Sequence, residues 1–334
     1  MKKAEVIAPA GNLASLKAAI DAGADAVYLG FNDSTNARNF EGLNFTLLDI
    51  EEGIKYAHRK GKKAFIALNT FPQTDTYVKW NNAVDDAFAL NADAIIIANI
   101  GVLKYAAQRH PEANLHLSTQ ASSSNHLSIN FYKKHFGVKR VVLPRVLTID
   151  EIRDLKRATD VEIEVFALGG LCINIEGRCY LSSFITGSST NTDGACSPSR
   201  FVRFTSGDDG SLSIELNNVL LNKLARGENS AYPTCCKGRY LNSDGKAVYA
   251  FEDPESLNIL EVLPDLIEAG VTAFKIEGRQ RTKAYVSAMT GVLRNAIDAY
   301  YKNPAAYVVT PEWKAKTVAT FEGMQQTLGS YLAK

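Results

Sequence analysis

The stretch EVIAPAGNLASLKAAIDAGADAVYLG, from Glu5 to Gly30, decides the fold. Glu5–Ala8 is a short β run, and Pro9-Ala10-Gly11-Asn12 is a turn whose Asn12 can cap a following helix. Leu13, Leu16 and Ile20 then recur at helical spacing until Gly23 stops them. Ala26–Gly30 reads as a second strand. The same beat continues outward. Thr46 opens a helix carrying Ile50, Ile54 and Ala57, Lys63–Asn69 is a third strand, and Ala94–Ala98 a fourth. Gly101–Arg109 is a helix that must end before Pro111. Asn114–Thr119 is the fifth strand, and the helix behind it, with Leu127, Phe131 and Phe136, stops at Gly137. Arg140–Pro144 is the sixth strand, Thr148 to Glu151 has capping-box spacing, and Glu162–Ala167 is the seventh strand.

The beat then breaks for 88 residues, from Leu168 to Glu255. It resumes with Asp253-Pro254, read as the start of a helix reaching Gly270, then Thr272–Ile276 as the eighth strand and Thr282–Tyr301 as the eighth helix. Eight strands, each followed by a helix, predict a (β/α)8 TIM-like barrel, because parallel strands need crossovers and a closed ring leaves no edge. A doubly wound sheet is the alternative, but the glycine fingerprint for dinucleotides is absent after the first strand. The expected boundaries are 1–167 and 256–301 for the barrel, 168–255 for a cysteine-rich insertion at its mouth, and 302–334 for a tail packing on the barrel. Inside the insertion, Phe201–Phe204 and Leu212–Leu216 read as a hairpin. In the tail, Tyr307–Val309 reads as a strand followed by a short helix.

The chain has 334 residues, 46% hydrophobic and 22% charged, which excludes disorder and low-complexity scaffolds. Its 37 basic and 36 acidic residues leave +1, so the balance gives no sign of nucleic acid or a membrane surface as partner. No apolar run is long enough for a membrane span. Pro9 and Gly11 fall where a signal peptide would need its apolar core, so a cytoplasmic location is expected.

All five cysteines lie between Cys172 and Cys236, a window where even scatter would put about one. In a reducing compartment, such clustering points to a metal or a reactive thiol before a disulfide. The separations between Cys172, Cys179, Cys196 and Cys236 are six, sixteen and thirty-nine residues. Structural zinc favours close cysteine pairs, which these are not, whereas iron–sulfur clusters accept wide, irregular spacing from loops. Buried structural cysteines are the plainer alternative. Since the insertion follows the seventh strand, it emerges at the C-terminal face, where barrel enzymes carry their active sites. Strand-end positions bring Asn69, Gln120, Arg145, Lys275 and Glu277 to that mouth, with Arg279 just beyond and Glu164 inside the seventh strand. Mutual pairing into a polar layer is the structural alternative for each. Arg145, Lys275 and Arg279 together suit an anionic ligand. The five histidines show no ligand spacing, and surface helix positions explain most of them. No hydrolytic nucleophile turn or zinc-protease motif is present.

The motifs APAG, NTF at Asn69, STQAS at Ser118–Ser122, EVFALGGLC ending at Cys172, GRCYLSS, GACSPSR and KIEGR resemble the collagenase-like peptidase family of unknown catalytic type. CKGRY at Cys236–Tyr240 and TLGSY at Thr327–Tyr331 are most similar to those members that act in oxygen-independent ubiquinone biosynthesis. The resemblance implies a 4Fe-4S cluster on Cys172, Cys179, Cys196 and Cys236, with Cys235 spare. It also implies hydroxylation of a quinone precursor with prephenate as the oxygen donor, in a heterodimer with a UbiV-like paralogue. A lipid-carrier protein would deliver so apolar a precursor, and no nucleic acid is expected. Many members carry a histidine before the first glycine of Ala167-Leu168-Gly169-Gly170, and this chain does not. Two other readings stand beside it: prephenate-dependent hydroxylation of tRNA or rRNA, and a cluster-bearing scaffold for a catalytic partner.

Overall fold

The structure is a computed structural model that describes residues 3–174, 178–228, 232–321 and 325–332. In chain order the first strands and helices are β1 (Glu5–Pro9), α1 (Leu13–Asp21), β2 (Ala26–Leu29), α2 (Leu47–Arg59), β3 (Lys63–Leu68), α3 (Tyr77–Ala89), β4 (Ala94–Ile97) and α4 (Ile100–Arg109). They continue with β5 (Leu115–Leu117), α5 (His126–Phe136), β6 (Arg140–Val142), α6 (Ile149–Arg157) and β7 (Glu162–Gly170). The cysteine-bearing segment holds α7 (Tyr180–Thr186), α8 (Thr190–Asp193), β8 (Val202–Ser206), β9 (Leu212–Leu216), β10 (Val219–Leu224), β11 (Arg239–Leu241) and β12 (Ala247–Tyr249). Then come β13 (Glu255–Asn258), α9 (Leu263–Glu268), β14 (Ala273–Ile276), α10 (Lys283–Lys302), α11 (Pro311–Thr320) and β15 (Gln325–Thr327).

Strands β1 to β7 pair in sequence, all parallel, and β14 pairs in parallel with both β7 and β1. The ring is closed, as the alternation of strands and helices predicts. Period-two alternation sends two sets of side chains to opposite faces. Val6, Val27, Leu29, Ile66, Ile95 and Phe274 face outward into the core shared with the helices. Ile7, Ala26, Tyr28, Phe65, Ala67, Ala94, Ile96 and Ala273 form the separate cluster inside the ring. The caps fall where the sequence puts them. Asn12 Oδ1 accepts from the Ser15 amide at 2.8 Å. Thr148 and Glu151 form a reciprocal capping box.

Two elements depart from the sequence expectation. Asp253-Pro254 does not start a helix: Glu255–Asn258 is strand β13, antiparallel to β7, and the helix begins only at Leu263, after a 3-10 turn. The proline that opens this helix is Pro264. Tyr307–Val309 is irregular, because the Tyr307 hydroxyl donates to the Leu260 carbonyl and the ring packs on the core instead of in a ladder. The strand of the tail is β15, which pairs in parallel with β13. The expected hairpin is present as β8 and β9, extended by β10 into a three-stranded sheet. No helix among the described residues is long and apolar enough to cross a membrane.

Candidate functional site

The barrel mouth holds a cavity lined by Tyr28, Asn69, Ser118, Thr119, Arg145, Phe166, Lys275, Glu277 and Arg279, together with Arg38. Asn69, Arg145, Lys275, Glu277 and Arg279 are therefore brought together. One of the residues expected at the mouth, Gln120, is not, while Glu164 is inside the seventh strand as expected. Gln120 is buried on the 3-10 turn after β5, while Ser118 and Thr119 reach the cavity. Glu164 lies deeper inside the ring, where its Oε1 accepts from Lys275 Nζ at 2.7 Å and its Oε2 from Arg140 Nη1 at 3.4 Å.

Four cations line this cavity, Arg38, Arg145, Lys275 and Arg279, against one carboxylate among the described lining residues, Glu277. Burial works to raise the Glu277 carboxyl, but Arg38, Arg145 and Arg279 together hold it below the usual range. Burial lowers Arg279 to about 10, still protonated at neutral pH. Arg279 Nη1 donates to Asn36 Oδ1 at 2.7 Å. Lys275 Nζ stands 3.8 Å from the centre of the Tyr28 ring, and the Arg145 guanidinium stacks on Phe166 at the same distance. Lys275 thus has both the Glu164 carboxylate and an aromatic face beside it, and burial lowers its ammonium below the usual range. The lining of the cavity carries an excess of cations.

All five cysteines line a second cavity, with Arg38, Gly169, Gly170, Asn174, Ser182, Thr234, Glu277 and Tyr285 among its walls. None of the five is joined in a disulfide. Cys179 is the N-cap of α7, its sulfur accepting from the Ser182 amide at 3.4 Å and from Asn174 Nδ2 at 3.5 Å. Thr234 Oγ1 lies 3.3 Å from Cys236 Sγ. Cys235 is buried and packs with Leu216 and Leu221. Burial raises the Cys179 and Cys196 thiols, and drives Cys236 to about 11 and Cys235 to about 12. Among the described residues, no group of three or more His, Cys, Asp or Glu is gathered as the ligands of a single metal ion would be. The half-buried Cys172, Cys179, Cys196 and Cys236 face one space, with two N–H groups aimed at the Cys179 sulfur, and could hold a larger multi-iron group.

Sequence reasoning missed the wall between the cavities. Arg38 and Glu277 line both, and Arg38 Nε donates to Glu277 Oε1 at 3.2 Å. Arg38 sits on the loop between β2 and α2, held by the Ala37 amide donating to Asn69 Oδ1 at 3.0 Å. Asn36, fully buried, pins the same loop by donating to the Phe31 carbonyl. The loop also meets the cysteine-bearing segment. Gly194, at φ +87°, would place a Cβ 2.2 Å from the Asn36 carbonyl, so only glycine fits there. The available signal was the length of this loop, since barrel enzymes draw functional groups from loops after their strands. His116, on the fifth strand, is inside the ring, edge-on to Phe65, and burial first, then Arg140 and Lys275, keep it neutral.

Residues 11–331 match peptidase family U32. The chain belongs to that family. The tRNA hydroxylation protein P1 of Bacillus subtilis is 34% identical over 93% of this chain and 67% of its own length. The tRNA hydroxylation protein P of Helicobacter pylori is 32% identical over 91% of this chain and 66% of its own. The 23S rRNA 5-hydroxycytidine C2501 synthase of Escherichia coli is 32% identical over 88% of this chain and 39% of its own. This U32 chain thus spans about two thirds of the length of the first two relatives.

Proposed function

We propose that this U32 chain is the cluster-bearing component of an oxygen-independent hydroxylation, with a 4Fe-4S cluster on Cys172, Cys179, Cys196 and Cys236. The observation that carries the reading is the adjacency of two unlike cavities, one lined by thiols and one by cations, across a single Arg38–Glu277 wall. A four-thiolate cluster supplies electron transfer when bound. The chain's own residues do the rest. Arg145, Lys275 and Arg279 bind and orient an anionic donor, prephenate in this reading, through charge-assisted hydrogen bonds. Tyr28 and Phe166 wall the site with apolar surface, which excludes water and strengthens those bonds.

Two acceptors are supported by different observations. The names of the relatives support an RNA base, since they are tRNA hydroxylation proteins and an rRNA hydroxycytidine synthase. The chain's own CKGRY and TLGSY motifs support a ubiquinone precursor, with this chain in the place of UbiU beside a UbiV-like partner. Tyr180 and Phe184, about nine-tenths exposed, stand on the helix whose Cys179 and Ser182 line the thiol cavity, and leave apolar surface for an acceptor. A deletion strain grown without oxygen decides, through nucleoside mass spectra of tRNA and rRNA and the quinone profile of the same cells. Loss of a hydroxylated nucleoside assigns RNA, and loss of ubiquinone assigns the quinone. Iron and sulfide assays on anaerobically purified protein test the cluster: about four of each per chain are expected, and their absence would overturn it.

A further inference from the structure

We propose that Arg38 serves both cavities from one position, holding an anionic ligand in the barrel mouth and offsetting the negative charge of the cysteine-bound centre. The inference rests on the cluster reading above and adds a residue to it. Arg38 and Glu277 are the charged side chains common to the two linings, and Glu277 is the one carboxylate in either lining among the described residues. The guanidinium is held rigidly: Nε donates to Glu277 and Nη1 to the Ala37 carbonyl at 3.0 Å. Nη2 has no hydrogen bond among the described residues, so its two N–H groups remain for a ligand. Glu277 contributes most to keeping Arg38 protonated and outweighs the desolvation that works against it.

Geometry makes the shared role economical. A half-buried cation between two anionic occupants is worth more to each than a fully exposed one, because less water screens it. The fork matters on the ligand side, where two N–H groups can meet one carboxylate, and the bare charge matters on the cluster side. These two demands separate under substitution.

The test uses the full chain, purified anaerobically, as wild type, Arg38→Met and Arg38→Lys. Iron and sulfide content, midpoint potential by redox titration, and prephenate affinity by calorimetry are read on each. Arg38→Met is expected to keep its iron, move the midpoint negative and bind prephenate about tenfold more weakly, the loss of one charge-assisted bond. Arg38→Lys should recover the potential but not the affinity, a split that a merely structural residue would not produce. Iron-loaded Arg38→Met with either the potential or the affinity unchanged overturns the inference. Should Arg38→Met lose its iron, the lysine variant decides: wild-type potential with weakened prephenate binding supports the proposal, and wild-type values for both overturn it. Wild-type protein without iron would instead sink the cluster reading itself, and the inference with it.

Discussion

Arg140 is buried inside the ring and meets three carboxylates, Glu5 and Glu162 at 2.6 Å and Glu164 at 3.4 Å. Burial pushes the Glu5 carboxyl up, but Arg140 and Lys63 more than reverse this and hold it at about 2. A depressed acid adds stability above its unfolded pKa and loses it as pH falls through the folded value. The contribution is therefore full above about pH 4.5 and gone below about pH 2, worth roughly 3 kcal/mol. Glu5→Gln should flatten the acid limb of a stability–pH curve measured by urea unfolding, and an unchanged limb would refute the assignment. Arg279 makes the second residue-scale case. Arg279→Ala should cut hydroxylation by about a hundredfold while iron content holds, as expected when a charged donor leaves a reacting centre. Full activity would place the chemistry elsewhere and favour a scaffold. Of these residues, Arg279 and Lys275 were legible as strand-end cations. Arg140, called only a strand start, and His116 were not, because the sequence does not say which face of a three-residue strand turns inward.

At the scale of elements, β7 is the strand that ties barrel to cysteines. It runs beyond Ala167 to Gly170, pairing with β14 on one side and β13 on the other. Gly169, at φ +114°, would set a Cβ 2.5 Å from the Glu277 carbonyl and 2.9 Å from the Tyr285 hydroxyl. Gly169→Ala therefore displaces Glu277 from both cavities. The expected cost is at least about 1–2 kcal/mol from backbone conformation, with the clash in addition. Thermal unfolding and iron retention check it, and a variant with the wild-type Tm would show the backbone there to be pliable. The failure at Asp253-Pro254 has a related cause. A cap signature and a proline were present, but the apolar residues behind them, Leu257 and Ile259, alternate at strand spacing, and the free edge of β7 offered them a ladder. Local propensity lost to a tertiary partner.

For the molecule as a whole, the tail returns to the barrel. Strand β15 extends the sheet through β13, and the Tyr331 hydroxyl donates to the Phe166 carbonyl at 2.6 Å. Ser330 Oγ donates to the Arg145 carbonyl at 3.0 Å, so the same turn braces the loop that carries a mouth cation. Tyr331→Phe leaves a buried carbonyl short of its donor, and should cost about 1–3 kcal/mol in urea unfolding while slackening prephenate binding. Wild-type stability would mean the TLGSY turn packs without bracing. The sequence by itself determined the barrel, because period-two strands, helical spacing, caps and stops are written within a few residues of each other. Strand order also leads the sequence to an expectation for the cysteine-bearing segment, at the face where the seventh strand ends. Tertiary structure decided which polar residues share a cavity, that Arg38 and Glu277 stand between two of them, and that the tail closes on the sheet. Those contacts join positions up to hundreds of residues apart, and pairing at such range depends on the closed ring, which no local pattern encodes.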